Sequence, residues 1–398
     1  MAEQQTAARG PATDDAYRIM GVERILTPSL ALYPESLDAN VETTLRLLGG
    51  DANRWRPHVK TAKLAFTMQR LVRHGIRQFK CATTLELMTA CEAGAEDVLL
   101  AYPVRGAGAQ RVRELAQRFR ATHVSVLVDH PEQVGAWSGG TVGVFIDINS
   151  GMNRTGIEQD RKNDIIRVAR AIENAGLIFR GLHYYDGHLG RLALAEREVE
   201  AHRGYDRLMA IVAAMEQSGI SVPEVVTSGT PALPCALSFP GFAGPSFVHR
   251  VSPGTVVYAD CQTLAELPSE YGYRPAVLVV SSVVSRPMAG RITCDAGSKA
   301  ASADVGVPTC AVLGRPDLQP LTPSEEHLPI EVPPGSPVPA LGDVLYLVPM
   351  HVCTTVNNFD HAVIVAGGRI VGVERVTARG RESPLLEENI MPGARLDR

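Results

Sequence analysis

Three stretches of the sequence carry side chains whose types could do chemistry together. The first is WRPHVKTAK, where Lys60 closes a short apolar run and so falls at the end of a strand. A lysine there is costly to bury as a cation, and burial favours the uncharged amine that Schiff-base chemistry needs. The second is a pair of small-residue turns, TSGTP (227–231) and SPGT (252–255). Ser228, Gly229 and Thr230 in one, with Gly254 and Thr255 in the other, offer hydroxyls and open backbone N–H groups to a phosphate. Ordinary loops use the same residues. The third is PMHVCTTVNNFDH (349–361), where His351 and Cys353 alternate along what reads as a strand end and would share one face. Imidazole and thiolate favour zinc over magnesium or calcium, and two protein ligands leave positions open for water or substrate. The competing reading is a buried structural cysteine.

These residues need a frame. Short β-branched runs at 57–60, 78–81, 97–101, 123–128, 142–148, 179–185, 224–227 and 248–251 alternate with amphipathic helical patterns. Such alternation predicts parallel strands with helical crossovers, and eight units predict an α/β fold of the (β/α)8 TIM-barrel type. In that barrel the mouth lies just beyond each strand, which is where Lys60 and both turns fall. An amine beside a phosphate cradle provides the two handles that pyridoxal 5'-phosphate requires.

Beyond Gly272 the texture changes to β-rich runs with Gly/Pro turns and no long helical pattern, which predicts a C-terminal all-β domain. Its Pro-rich stretch LQPLTPSEEHLPIEVPPGSPVPALG reads as a loop or sheet edge. The expected division is a mobile tail at 1–15, a leading segment at 16–33 with a strand at 24–31 that could join the β domain, the barrel at 34–266, and the β domain at 267–398. Hydrophobic residues are 45% and charged residues 21% of the chain, a globular profile with room for two cores. The net charge of −4 and scattered basic residues argue against a nucleic-acid partner. No apolar run is long enough for a membrane span, and the polar N-terminus lacks a signal-peptide core. Seven widely spaced cysteines without a CxxC pair fit free thiols and an expected cytoplasmic location.

Taken in order, RPHVKT, NSGMNRTG, HYYDGH, SGT, SPGT, DAGSKAAS and HVCTTVN resemble the fold-type III pyridoxal-phosphate enzymes of the D-threonine aldolase and D-serine dehydratase family. The resemblance spans nearly the whole chain. It implies that Lys60 carries the cofactor, that Arg154 and Tyr185 contact it, and that the two turns hold its phosphate. It further implies that His351 and Cys353 hold a divalent metal, with zinc favoured and manganese the alternative. The substrate class implied is a β-hydroxy D-amino acid, and the assembly implied is a homodimer. This sequence departs from the family where KTAK replaces the usual KTHK, placing Ala62 at a histidine position. His-x-Cys is the dehydratase form of the metal pair, whereas Tyr185 in HYYDGH is typical of aldolases.

Two outcomes follow for the implied lyase: retro-aldol cleavage to glycine and an aldehyde, or β-elimination to a keto acid and ammonia. The aldolase outcome is preferred on Tyr185. A metal-free amino-acid racemase is the alternative from another class. His188 is the candidate second proton carrier because it follows Tyr185 closely, the competing reading being a solvated loop histidine.

Overall fold

The computed structural model describes residues 16–384, so the tail expected at 1–15 lies outside the described residues. Each β-branched run followed by a crossover helix becomes a strand of one parallel sheet. In spatial order the strands are Gln78–Cys81, Asp97–Leu100, His123–Val128, Gly143–Asn149, Ile178–Tyr184, Glu224–Thr227 and Val248–Val251. A two-residue strand, Ile157–Glu158, adds beside Gly143–Asn149.

The first strand expected at 57–60 is not a regular ladder. The chain instead bridges the two sheet edges at single points, Trp55 with Val251 and His58 with Lys80, and so closes the barrel. Pro57 has no N–H to donate, although its carbonyl accepts from Lys80 N–H at 2.9 Å. Lys60 already lies in the turn beyond.

The crossover helices form where apolar residues recur at helical spacing. Lys162–Asn174 buries Ile165, Val168, Ala169 and Ile172 against the sheet. Ala65–Arg73 buries Thr67, Met68 and Leu71 and stops before Gly75, whose φ of 85° a side chain would strain.

Inside the barrel the side chains stack in layers. At the bottom the fully buried Arg56 pairs with Asp97 and Glu224, both at 2.9 Å, which compensates its charge. Above it lies an apolar layer of Leu99, Leu127, Phe145 and Val226. Phe145 and Asp147 are two residues apart on one strand and point the same way, so Asp147 opens the next, polar layer under the mouth.

The second sheet is built mainly of antiparallel strands. Val277–Met288 pairs with Ser29–Leu32, Arg291–Cys294 and Val344–Pro349. Ser29–Leu32 also runs parallel to His361–Ala366, so the leading segment contributes a strand to this sheet. That strand begins at Ser29 rather than at 24, because Val22–Arg24 forms a 3-10 turn. The Pro-rich stretch supplies the short strands Gln319–Pro320 and Leu328–Glu331, the former at the sheet edge. Among the described residues no helix is long and apolar enough to cross a membrane.

The sheet docks onto the barrel mouth through specific bonds. Val352 N–H donates to Asp260 at 2.8 Å, and Lys63 Nζ reaches Glu86 at 2.7 Å and the Ala378 carbonyl at 3.2 Å. Lys63 therefore sits in the turn before the helix, not within it, and is occupied structurally.

Candidate active site

Lys60 projects half-buried from the turn that follows the closing bridge. Its Nζ lies 5.9 Å from the centre of the Tyr185 ring. Two further cations converge on that ring, Lys80 Nζ at 5.4 Å and Arg154 Cζ at 5.3 Å. The ring fits only because its neighbours are glycines. A Cβ on Gly229 would lie 2.8 Å from Tyr185 Cε2, and one on Gly187 would lie 2.2 Å from the hydroxyl.

The two small-residue turns meet beside Tyr185. Ser228 takes the left-handed region at φ 54°, and its buried Oγ has no hydrogen-bond partner among the described residues. A strained residue with an orphaned buried hydroxyl is the kind of feature found at ligand sites. Thr255 Oγ1 donates to Thr230 Oγ1 at 2.6 Å, which ties the turns together. A Cβ on Gly254 would fall 2.6 Å from the His58 carbonyl, so the cradle packs directly against the Lys60 segment. Gly229 N–H is already used, donating to Asp186 at 3.2 Å. Burial pushes the Asp186 carboxyl up to about 6, against the bonds from Tyr205 and Gly229 that favour its charge. The open hydroxyls, the glycine turns and the Lys60 amine fit a phosphorylated aldehyde such as pyridoxal phosphate.

His351 and Cys353 line the same cavity as Lys60, Tyr185, Thr230 and Thr255, a space of about 410 Å3. They do not alternate along a strand, as the sequence suggested. The strand Val344–Pro349 ends first, His351 caps the helix Val352–Val356, and Cys353 lies in its first turn. The bond from Val352 N–H to Asp260 starts this helical turn. Cys353 Sγ lies 3.0 Å from Thr61 Oγ1, one residue past Lys60. His351 Nδ1 lies 2.6 Å from Asp304 Oδ2, so one ring nitrogen is held by a carboxylate and Nε2 remains as a donor. Metal-ligating histidines commonly have this carboxylate support. Burial opposes the charged imidazole, but the Cys353 thiol and the Asp304 carboxylate outweigh it and push His351 up to about 9. No cluster of three or more His, Cys, Asp or Glu poised for a metal occurs among the described residues. The fitting donor set is therefore the two-residue pair, which suits an open site.

Not every expected residue faces this cavity. Arg154 lines a small adjoining hollow that shares Tyr185. His188 is half-buried on the 3-10 turn Gly187–Arg191, beside Gly151, and is absent from the cavity wall although Gly187, Gly190 and Arg191 belong to it. Sequence reasoning also missed three groups. Lys80 faces the Tyr185 ring from inside the barrel. Asp304 holds His351. Glu266 lines the cavity with His351, and burial pushes its carboxyl up to about 7.

A closed parallel barrel with a lysine and paired small-residue turns at its mouth, capped by a β domain, defines the fold-type III pyridoxal-phosphate enzymes. The chain belongs to the alanine racemase N-terminal domain family, whose model matches residues 33–262, and a serine dehydratase domain model matches 276–365. Over 370 residues it is 29% identical to a D-threonine aldolase of Arthrobacter sp, covering 90% of this chain and 93% of that protein. It is 27% identical to a 3-hydroxy-D-aspartate aldolase of Paracoccus denitrificans (strain Pd 1222), over 91% of this chain and 94% of that one. The crystal structure of D-threonine aldolase from Filomicrobium marinum superimposes with a TM-score of 0.81 at 28% identity, covering 89% of this chain and 96% of that chain.

Proposed function

We propose that this chain is a pyridoxal-phosphate- and metal-dependent lyase for β-hydroxy D-amino acids, cleaving them to glycine and an aldehyde. One observation carries the reading: a single cavity holds the Lys60 amine and the His351–Cys353 pair on facing elements, joined by the Thr61–Cys353 contact at 3.0 Å. The similarity to aldolases of this substrate class supports it. Lys60 would hold the cofactor, Tyr185 and Arg154 would contact it, and Ser228, Thr230, Gly254 and Thr255 would bind its phosphate, with Gly229 keeping the turn open beside Tyr185. His351 and Cys353 would hold the metal, with zinc preferred to manganese on the thiolate. When bound, the cofactor supplies a sink for the electrons released at the substrate α-carbon, and the metal a Lewis acid for the β-hydroxyl.

The chain's own groups do the rest. Asp304 fixes the His351 ring, so the metal-side donor cannot swing away. Glu266 stands on the metal side of the cavity and would take the β-hydroxyl proton at a carboxylate oxygen. His188, turned toward Gly151, leaves that role open. The β domain covers the mouth and limits access of water to the reacting atoms.

Elimination to a keto acid is the second reading, favoured by the serine dehydratase domain match that contains both His351 and Cys353. The reading also includes a homodimer, which light scattering would test, and a cytoplasmic location. Comparing consumption of D- and L-threonine by the loaded enzyme, before and after chelation, tests the proposal. Consumption of the D-isomer alone, abolished by the chelator, is expected. Equal use of both isomers would overturn it.

A further inference from the structure

Lys80 lies on the strand Gln78–Cys81 with its side chain inside the barrel, 2% exposed. Among the described residues no carboxylate bonds to its Nζ. Its hydrogen-bonding neighbour is His183 Nε2 at 3.4 Å, and His183 Nδ1 lies 2.7 Å from Asp147 Oδ1. The Asp147 carboxylate fixes the proton on Nδ1, leaving Nε2 a lone pair aimed at Lys80. On its other side Lys80 faces the ring of Tyr185, which Lys60 also faces. A buried lysine without an anionic partner gives the fold nothing in return for its desolvation, which points to work in the site.

We propose that Lys80 is the second working amine of this site, a proton-holding positioning residue beneath Tyr185 that sets the charge felt by the cofactor bound at Lys60. The inference rests on reading Lys60 as the cofactor lysine. When Lys80 takes a proton at Nζ it donates one N–H to Nε2 of His183, whose own N–H stays on Asp147. When it releases the proton, only that N–H bond breaks, and the hydrogen bond to Nε2 weakens because a neutral amine is the poorer donor.

The charged and titratable groups around it come from three parts of the barrel. Lys60, His58 and Arg56 face it from the closing segment, His183 and Asp186 from Ile178–Tyr184 and the loop after it, and Asp147 from Gly143–Asn149. Burial first, and then the charge of Lys60, pull Lys80 from its ordinary 10.5 down to about 7, while Asp186 and Asp147 pull it back. Burial alone, the largest of these effects, holds Lys80 below the ordinary lysine value whether or not Lys60 carries a charge.

The test is a pH titration of the visible absorption of cofactor-loaded wild type, Lys80→Met and Lys80→Arg, with circular dichroism to show that each is folded. Wild type is expected to show a spectral step below the ordinary lysine value of 10.5. Lys80→Met should hold the wild-type high-pH spectrum throughout, and Lys80→Arg the low-pH spectrum, because one is never charged and the other always is. Lys80→Gln serves in place of Lys80→Met if the latter does not fold. A step that persists unchanged in the Met or Gln variant overturns the proposal, as does its absence from wild type. A Lys60→Ala protein that still binds the cofactor covalently would instead overturn the Lys60 reading and this inference with it.

Discussion

His351 Nδ1 and Asp304 Oδ2 lie 2.6 Å apart, a contact that joins the proposed metal pair to a residue of a distant turn. The carboxylate fixes the ring and its tautomer, so Nε2 is the nitrogen left for a metal. Asp304→Ala should weaken metal binding by about 10- to 100-fold, read by competition against a chelating dye. Strong chelation of the wild type should remove turnover and leave the visible absorption of the bound cofactor in place. An unchanged metal affinity in the variant would remove Asp304 from the account.

Glu266 is expected to act as the base for the hydroxyl proton. Burial raises its carboxyl from the ordinary 4.5 to about 7, so the base form is present above that value and is lost as the pH falls through it. Turnover should therefore decline on the acid side of about 7, and Glu266→Gln should cost about 10²- to 10⁴-fold in kcat. Full activity of Glu266→Gln would assign the base elsewhere.

Gly229→Ala tests the packing around Tyr185. The added Cβ would fall 2.8 Å from Tyr185 Cε2, well inside contact distance, so the ring must shift. Cofactor affinity should drop by about tenfold or more, measured by equilibrium dialysis, while the overall fold by circular dichroism is retained. Wild-type affinity would show that the ring position does not matter to the cofactor.

Much of the barrel was legible in the sequence. The strands at 78–81, 123–128, 224–227 and 248–251 fall on the observed bounds, because each is a short run with apolar or β-branched residues closed by turn or loop residues. The segment at 57–60 was not, since its pairing is two single bridges that depend on closure. Both turns were legible from their place after strands, whereas Lys60 follows an isolated bridge at His58 rather than the strand expected there. Lys80 reads as a surface lysine until closure places it inside, and in a strand buried on both faces alternation does not mark the inner side. Asp304 lies 47 residues from His351, with no spacing to connect them. The step from strand to helix at His351 escaped because the bond that starts it comes from Asp260, across the chain.

Lys80 also carries a stability prediction. Its value in the fold, about 7, lies below the ordinary 10.5, so between these the unfolded chain binds more protons and stability rises with pH. Below about 7 the fold carries the whole penalty for the buried cation, and above 10.5 none. Lys80→Met should therefore be more stable than wild type near neutrality by a few kcal/mol, roughly, with the gain vanishing at high pH. Urea midpoints at about pH 6 and about pH 10 check this, and a destabilised variant at the lower pH would show that Lys80 serves the fold instead.

In the proposed reaction, one cavity combines the Lys60 amine with the His351–Cys353 pair to break the bond between the α- and β-carbons of a β-hydroxy D-amino acid. Incubating the loaded enzyme with D-threonine and identifying the products tests it directly. Glycine and acetaldehyde in equal amounts are the predicted result; 2-oxobutyrate and ammonia, or unreacted substrate, would contradict it.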